Sequence, residues 1–286
     1  MNGNQINSGP VKTSWCPGCG NFSILEAIGT TYESLEINPV DLVVVSGIGQ
    51  AGKTPHYHKC NMFNGLHGRS IPLATAVKAS NPGLTVIAQG GDGDMYGEGG
   101  NHLLHGIRRN PDITVIVHNN MVYGLTKGQA SPTSARGFTT NLQVHGVNSE
   151  PFNPMAMAIT LNAPFVARTF AADKEETSRI LAAAIRHKGF SLVDILQPCV
   201  TFNKVNTHKW FTEHIEPIKA SHDSTDRMRA LELAFVTEKL PVGVFYVNED
   251  RPTFEEVLPV YDSSDEPLYN RDREIEELQM VIDGLR

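Results

Sequence analysis

The sequence predicts an α/β protein with a mainly parallel sheet and helices on both faces. Short continuous runs of apolar, β-branched residues recur along the chain, and amphipathic stretches alternate with them. Continuous apolar runs are typical of strands that are buried on both faces of a parallel sheet. Alternation with helices is typical of βαβ units. The chain has 286 residues, 40% of them hydrophobic, which is sufficient for a large core.

Five segments are predicted strands because their apolar residues are continuous and largely β-branched. They are Leu42–Ser46, residues 84–88, 113–117 and 164–168, and Ser191–Leu196. The predicted helices lie between or before these strands, where apolar and polar residues alternate with helical spacing. They are residues 22–35, 72–80, 98–109 and 174–188. This order predicts that the strand ends carrying ligand-binding loops lie along one edge of the sheet.

The alternation becomes weaker after Cys199, which suggests a boundary. We expect residues 1–200 to form the ligand-binding domain, and residues 201–286 to form an irregular C-terminal extension that packs on it or on a partner subunit. Within the extension, residues 228–240 and 242–247 are predicted short elements. Residues 273–285 are predicted to form one exposed helix.

Charge and hydropathy exclude several classes of function. The net charge is −7, from 24 basic and 31 acidic residues, whereas nucleic-acid binders usually have a basic excess. No apolar run approaches the roughly 20 residues that span a bilayer, and the polar N-terminus lacks the apolar stretch of a signal peptide. We therefore expect a cytoplasmic protein that binds neither nucleic acid nor membranes.

One glycine-rich segment matches a nucleotide-binding motif. Residues Gly47 to Thr54 fit G-x-x-x-x-G-K-T and follow a predicted strand, as the phosphate-binding loop of a nucleoside triphosphatase does. Such a loop begins a long helix, yet Pro55 follows Thr54 and the next residues have no apolar stripe. A P-loop nucleoside triphosphatase is therefore kept as an alternative from a different functional class.

A second pair of motifs predicts a magnesium–diphosphate site. Gly91-Asp92-Gly93 follows one predicted strand, and Asn120 follows the next, with 26 residues between Gly93 and Asn120. Both segments are expected at the carboxyl ends of neighbouring parallel strands, where open α/β sheets bind ligands. The glycines allow the backbone to approach a diphosphate, and carboxylate and amide oxygens are ligands that Mg²⁺ prefers.

Eight motifs in one order carry a family resemblance over about residues 12–260. They are WCPGCG at 15–20, SGIG at 46–49, GLHGR at 65–69, GGDGD at 90–94, GNH at 100–102, YGLTKGQ at 123–129, SPTS at 131–134 and QPCVTFN at 197–203. The chain resembles the β subunit of two-subunit 2-oxoacid:ferredoxin oxidoreductases, which bind thiamine diphosphate.

The resemblance implies a fold, a reaction and partners. The fold is the diphosphate-binding half of a thiamine diphosphate site, and an α subunit carries the half that activates the pyrimidine. The implied reaction is oxidative decarboxylation of a 2-oxoacid, with 2-oxoglutarate favoured, in which coenzyme A takes the acyl group and ferredoxin takes the electrons. A thiamine diphosphate-dependent decarboxylase or synthase without an iron–sulfur cluster is the alternative within this class.

The resemblance also assigns the residues of the site. Asp92 and Asn120 bind Mg²⁺ through their side chains and Val122 through its carbonyl, while Lys53 meets the substrate carboxylate and Leu125 lies at the catalytic centre. The implied cofactor-binding residues are Ser46, Gly47, Ile48, Gly49, His67, Gly91, Asp92, Gly93, Asp94, Asn120, Val122, Gly124, Leu125 and Thr126.

The four cysteines are assigned to a [4Fe–4S] cluster. Cys16, Cys19 and Cys199 match three ligand positions of the family, but Gln50 stands where the fourth ligand normally follows SGIG. Cys60 is the remaining cysteine, so it is predicted to be the fourth ligand. A free Cys60 beside a three-cysteine cluster or no cluster, and a zinc site built from the same cysteines, remain alternatives.

Overall fold

The computed structural model describes residues 12–272 and 274–285, and within them eight strands form one sheet in the order β2-β1-β3-β4-β6-β5-β8-β7. The strands are β1 (Leu42–Ser46), β2 (Asn61–Asn64), β3 (Thr85–Gly91), β4 (Thr114–Asn119), β5 (Phe165–Phe170), β6 (Ser191–Leu196), β7 (Ile215–Pro217) and β8 (Leu240–Val247). The helices are α1 (Asn21–Ser34), α2 (Ser70–Ser80), α3 (Gly100–Arg109), α4 (Pro154–Thr160), α5 (Lys174–Arg186), α6 (His208–His214), α7 (Arg227–Ala234) and α8 (Ile275–Gly284).

Strands β1 to β6 pair in parallel, which confirms the predicted mainly parallel sheet. Alternate strand residues face two separate cores, one on each side of the sheet. Helices α2, α3, α4 and α7 cover one core, which contains Val115 and Val117. Helices α1 and α5 cover the other, which contains Ile116. Burial on both faces explains why the central strands are continuously apolar.

The predicted elements exist, with shifted boundaries. Strands β3, β4 and β5 extend two or three residues beyond the predicted ends, so that the polar residues of the site lie on or directly after them. The predicted helix at 98–109 begins two residues later, as α3 at Gly100. Glu98 is instead the last residue of a π-helical turn formed by Gly93–Glu98. The short elements β2, α4, α6 and β7 were not predicted. Each has seven residues or fewer, and all four residues of β2 are exposed.

The C-terminal region contributes to the same sheet. Strand β8 pairs antiparallel with β5, with a bulge between Val166 and Ala167, and β7 pairs in parallel with β8. The predicted element at 228–240 is the shorter helix α7, which ends at Ala234, and β8 begins before the predicted residue 242. Helix α8 has no buried residue, as predicted, although residue 273 lies outside the described part of the chain.

No helix in residues 12–272 and 274–285 has the length and apolarity needed to cross a membrane. The N-terminal segment predicted to lack a signal sequence falls largely on residues 1–11, outside the described residues. For the site, the relevant feature of the fold is that β1, β3, β4 and β6 are parallel neighbours. Their carboxyl ends therefore lie along one edge of the sheet.

Candidate active site

A small cleft opens at the carboxyl ends of β1, β3 and β4, and most of the predicted cofactor-binding residues line it. They are Ile48, Gly49, His67, Gly91, Asp92, Gly93, Asp94, Asn120, Val122, Gly124, Leu125 and Thr126. Ser46 and Gly47 lie directly beneath, at the end of β1, and the Ser46 hydroxyl donates to the carbonyl of Gly52 at 2.9 Å. The parallel sheet therefore brings together segments separated by up to 80 residues in sequence.

Asp92 is buried at the bottom of this cleft with an exposed fraction of 1%. Its Oδ2 accepts hydrogen bonds from the hydroxyls of Ser131 at 2.5 Å and Thr133 at 2.7 Å. Burial raises the pKa of Asp92 to about 6, although both hydroxyl bonds favour the ionised form, and the charge of Asp194 raises it further. Both hydroxyl bonds go to Oδ2, and the backbone of Gly93 also donates to the carboxylate, so Oδ1 accepts no side-chain hydrogen bond.

Asn120 and Val122 lie on a tight turn that follows β4. Met121 adopts the left-handed conformation with φ of 56°, and the backbone N–H of Val122 donates to Asn120 Oδ1 at 3.1 Å. The Asn203 side chain donates to the carbonyl of Asn120 at 3.2 Å. This turn presents an amide oxygen and a backbone carbonyl beside the Asp92 carboxylate at the same edge of the sheet.

Asp94 connects two further loops of the cleft. Its Oδ1 accepts the backbone N–H groups of Ile48 at 3.0 Å and Gly68 at 2.9 Å, and Nδ1 of His67 lies 2.8 Å away. Burial raises its pKa, while these N–H donors and His67 oppose the rise. A side chain at Gly47 would place its Cβ 2.1 Å from Asp94 Oδ2. The first glycine of the SGIG motif is therefore required at this position.

The oxygen atoms at the cleft fit a magnesium ion. Mg²⁺ binds carboxylate, amide and carbonyl oxygens in octahedral geometry and takes its remaining ligands from phosphates and water. Asp92, Asn120 and Val122 supply one of each protein oxygen type. No group of three His, Cys, Asp or Glu side chains in the described residues is arranged to hold a metal ion. That finding is compatible with a site in which Asp92 would be the one acidic ligand.

Comparison with known proteins decides the family. The family described as thiamine pyrophosphate enzyme, C-terminal TPP binding domain, matches residues 45–195, and the C-terminal family of the pyruvate ferredoxin oxidoreductase β subunit matches residues 199–263. The chain is 43% identical over 261 residues to 2-oxoacid:ferredoxin oxidoreductase 1, subunit beta, from Aeropyrum pernix, covering 87% of this chain and 82% of that one. The chain belongs to the 2-oxoacid:ferredoxin oxidoreductase β-subunit family.

Two further similarities support this membership. The 2-oxoglutarate synthase subunit KorB of Methanocaldococcus jannaschii is 34% identical over 245 residues, covering 85% of this chain and 90% of the relative. The solved 2-oxoglutarate:ferredoxin oxidoreductase from Magnetococcus marinus, with 2-oxoglutarate, coenzyme A and succinyl-CoA bound, matches with a TM-score of 0.90 at 34% identity. That match covers 99% of this chain and 96% of the other. The predicted family resemblance and the oxidoreductase class are thereby confirmed.

The P-loop interpretation is rejected. Residues Ala51–Tyr57 form a 3-10 helix, and no long α-helix follows the GKT residues at 52–54. The Thr54 side chain is fully buried and its hydroxyl donates to the carbonyl of Ala51 at 2.8 Å, so it is not free to bind a metal. Sequence spacing alone matched the motif, whereas the helix N-terminus that binds phosphate is missing.

Lys53 lies beside the cleft rather than on its wall. Its Nζ donates to Oε1 of Gln50 at 2.9 Å, and Gln50 itself lines the cleft. The backbone carbonyl of Gln50 accepts the indole N–H of Trp15 at 2.9 Å, which holds this loop against the segment before Cys16. Leu125 is 46% exposed at the cleft mouth. In the sequence, Gln50 stands out only because it replaces the fourth cysteine ligand of the family. The sequence does not predict its contact with Lys53.

Cys19 and Cys199 line a second cleft, and Cys16 lies close to Cys19, whose backbone N–H donates to the Cys16 carbonyl at 3.0 Å. Cys19 is half-buried and lies near enough to Cys16 and Cys199 for their charges to raise its pKa, although burial contributes the larger part of the rise. The Gln197 amide donates to Cys19 Sγ at 3.6 Å. Thiolates that share one zinc ion lie within about 4 Å of each other, and no such cluster is formed among the described residues.

The predicted fourth ligand, Cys60, is not brought to this group. Cys60 packs against the core between the sheet and helices α1 and α5, and burial raises its pKa to about 11. It lies near Tyr32, which is 11 residues after the start of α1 at Asn21, or about 16 Å along the helix axis. Cys19 lies at the opposite end of α1. The assignment of Cys60 as fourth ligand, which depended on counting cysteines, stays a prediction.

The residues that sequence reasoning missed are mainly hydroxyls and amides around Asp92. Ser131 and Thr133 contact Asp92 from 39 and 41 positions away. Thr133 also lies 2.9 Å from Oδ1 of Asn119, whose amide donates to Asp194. The SPTS motif was noticed as a landmark of the family, but nothing in its local pattern indicated which residue it would contact.

Proposed function

We propose that this chain is the diphosphate-binding subunit of an oxidoreductase that decarboxylates 2-oxoglutarate and transfers the acyl group to coenzyme A and the electrons to ferredoxin. The observation that carries the proposal is the set of Asp92, Asn120 and Val122 oxygens at the carboxyl edge of the sheet. The names of the relatives, and the ligands bound in the Magnetococcus marinus structure, support the choice of substrate and of coenzyme A.

We propose that this edge holds magnesium thiamine diphosphate. Asp92, Asn120 and the carbonyl of Val122 would bind the Mg²⁺ ion, and the backbone at Gly91, Gly93 and Gly124 would approach the diphosphate. His67 would donate to a phosphate oxygen, since its other ring nitrogen is held by Asp94. The cofactor supplies an electron sink for decarboxylation. The chain supplies the position of that cofactor and the exclusion of water.

Lys53 and Leu125 are proposed to recognise the substrate. A 2-oxoglutarate molecule carries two carboxylates, so a cation at the cleft compensates charge that would otherwise be buried. The amide of Gln50 holds Lys53 Nζ at the border of the cleft. Leu125 and Thr126, at the mouth, would contact the apolar part of the substrate and the cofactor. This assignment predicts weaker binding of 2-oxoacids that lack a second carboxylate.

Cys16, Cys19 and Cys199 are proposed to hold an iron–sulfur cluster that passes electrons singly to ferredoxin. Cys16 and Cys199 both lie near Cys19 at the start of α1, and the cleft lined by Cys19 and Cys199 is also lined by the cationic side chains of Lys204 and Lys209. A [4Fe–4S] cluster at this place would have at least these three cysteine ligands from this chain, and Cys60, which packs against the core beside α1 and α5, is the candidate for the fourth.

The active unit is proposed to be a complex with an α subunit that completes the thiamine site. The apolar side chains of Leu66, Phe63 and Met62 are exposed at or near the edge strand β2, as expected for a surface that a partner covers. We also propose that the chain divides near residue 200, with residues 201–286 packing on the first part and on the partner. The four cysteines are unpaired, which agrees with a reducing cytoplasm.

The test is anaerobic ferredoxin reduction by this chain co-expressed with its α subunit. We expect turnover with 2-oxoglutarate and coenzyme A that requires thiamine diphosphate and Mg²⁺, and a loss of at least about 100-fold in Asp92→Asn. Glu238→Gln, an exposed change elsewhere, serves as the control. Turnover that is independent of thiamine diphosphate, or equal in Asp92→Asn and the control, contradicts the proposal.

A further inference from the structure

We propose that residues 131–134, here called the SPTS loop, act as a clamp that fixes both ligand-bearing segments of the proposed metal site. This inference rests on the proposed function, since it concerns the same Mg²⁺ ion. The loop itself supplies no metal ligand. Its side chains instead determine where Asp92 and the Asn120–Val122 turn stand before any cofactor binds, so they are positioning residues.

One side of the clamp holds Asp92. The hydroxyls of Ser131 and Thr133 both bond Oδ2, at 2.5 and 2.7 Å, and all three side chains are more than nine-tenths buried. A carboxylate with one oxygen held by two donors cannot rotate freely about its Cβ–Cγ bond. Its other oxygen, Oδ1, is therefore directed by the loop, and the geometry points to a single-oxygen metal ligand.

The other side of the clamp holds the turn after β4. Ser134 Oγ donates to the carbonyl of Met121 at 2.7 Å. Met121 lies between Asn120 and Val122, and its left-handed φ of 56° is unusual for a methionine. A hydrogen bond to this carbonyl stabilises that conformation and with it the relative placement of the two proposed ligands on either side.

The clamp is rigid because it is bonded within itself and to the core. The N–H of Ser131 donates to Ser134 Oγ at 2.9 Å, and the N–H of Ser134 donates to the carbonyl of Ser131 at 3.1 Å. The N–H of Phe152 donates to the carbonyl of Pro132 at 2.8 Å. The loop therefore closes on itself as a turn, and its central proline is tied to a neighbouring segment.

A buried network supports the clamp from below. Thr133 Oγ1 lies 2.9 Å from Asn119 Oδ1, and the Asn119 amide donates to Asp194 at 3.1 Å. Asp194 is fully buried and accepts from Arg168 at 3.1 Å and Tyr96 at 2.8 Å. The single hydroxyl proton of Thr133 is shared between two acceptors, Asp92 Oδ2 and Asn119 Oδ1, so it donates to one of them at a time. Thr133 thus connects the proposed metal ligand to the centre of the sheet.

The expected effect follows from outer-shell positioning of metal ligands, whose removal typically lowers metal affinity about 10- to 100-fold. Thr133→Val removes the hydroxyl and keeps the shape, and Ser131→Ala removes the other donor. Ser134→Ala releases the Met121 carbonyl without touching Asp92. Thr133→Ser keeps a hydroxyl, and Ser149→Ala makes the same chemical change as Ser134→Ala at an exposed serine.

The experiment uses calorimetry to measure the binding of thiamine diphosphate to the α–β complex at a series of Mg²⁺ concentrations. For Thr133→Val, Ser131→Ala and Ser134→Ala we expect the half-saturating Mg²⁺ concentration to rise about 10- to 100-fold. Cofactor affinity at saturating Mg²⁺ should change little. Thr133→Ser and Ser149→Ala should stay within about threefold of the wild type.

Two other results would overturn the inference and are distinguishable. If the wild type binds thiamine diphosphate with Mg²⁺ and all three hydroxyl-removing variants show the same Mg²⁺ dependence, the clamp is refuted while the proposed function stands. If the wild-type complex shows no Mg²⁺-dependent binding of thiamine diphosphate, the proposed function and the clamp both fail. Ser134→Ala decides the question if the Asp92-side variants do not assemble.

Discussion

His58 is buried against Tyr32 of α1 with the two rings 5.6 Å apart, and the polar atoms of both side chains have no hydrogen-bond partner within the described residues. Burial lowers the pKa of His58 to about 4 and raises that of Tyr32 above its ordinary value. Both side chains are therefore neutral at physiological pH. A buried imidazole without partners makes folding sensitive to acid, because only the unfolded chain can take up its proton.

We predict that His58→Phe reduces the acid sensitivity of folding. An unfolded histidine has a pKa of about 6.5, so between pH 6.5 and 4 the unfolded wild type binds a proton that the folded form does not. The free energy of unfolding therefore falls in that window by up to about 3 kcal/mol from this residue, and is unaffected above it.

The check is urea unfolding at several pH values between 7.5 and 4.5. His56→Phe is the matched control, since it makes the same change two residues away at an exposed position. His58→Phe should lose clearly less stability on acidification than the wild type and the control. Parallel losses in all three proteins would show that His58 is not the group responsible.

At the scale of elements, a buried ion pair joins the end of α2 to the start of β4. Lys78 Nζ lies 2.8 Å from Asp112 Oδ2 and donates to the carbonyl of Leu84 at 2.8 Å, while Lys78 is 5% exposed. The charge of Lys78 lowers the pKa of Asp112 even though burial acts in the opposite direction. The pair therefore fixes a helix to two strands at the edge opposite to the site.

We predict that Lys78→Met lowers the free energy of unfolding by about 1.5–3 kcal/mol, because Asp112 loses its buried partner and keeps only the exposed Lys188 and the N–H of Gly189. Lys188 offers an internal control. Its Nζ lies 3.5 Å from the same carboxylate, but its side chain is 79% exposed. Lys188→Met should cost less than about 1 kcal/mol. The measurement is urea unfolding at pH 7. If Lys78→Met and Lys188→Met lose equal free energy of unfolding, the difference in burial between the two lysines is not the cause.

Long elements could be predicted from the sequence because their apolar patterns record burial. Strand β4 is buried at every position and its first four residues, TVIV, are all β-branched, whereas β2, with the sequence NMFN, is exposed and polar at both ends. The π-helical turn at Gly93–Glu98 was invisible for a different reason. Its irregular hydrogen bonding depends on glycines that let Tyr123 and backbone atoms approach, and that is a tertiary condition.

The parts of the candidate site that depend on local residue order could be predicted from the sequence. Contacts between residues that are far apart in the chain could not. GDG and Asn120 follow strands that the pattern identifies, so their convergence follows from a parallel sheet. The contact between Asp92 and Thr133 spans 41 positions and has no periodic signal. The assignment of Cys60 shows the same limit, since it came from counting cysteines, and a count carries no information about the contacts of Cys60 with the core.

For the whole molecule, we predict that iron binding separates the cysteines into two groups. In the anaerobically purified complex, Cys60→Ser should keep the wild-type iron and sulfide content per β chain, because Cys60 packs in the core near Tyr32. Cys199→Ser and Cys19→Ser should lose most of both. The measurement is iron and acid-labile sulfide analysis with the visible absorption spectrum. A loss of iron in Cys60→Ser equal to that in Cys199→Ser would establish Cys60 as a ligand.

The position of β8 in the sheet has a consequence for biosynthesis. Strand β5 lies between β6 and β8, and residues 171–239 separate β5 from β8 in the chain. At about 5–20 residues per second, a ribosome needs about 3 to 14 s to make that segment. During this time the nascent chain has an unpaired β5 edge that can join other strands. We therefore expect the β5 edge to be a site of aggregation in the nascent chain until β8 has been made.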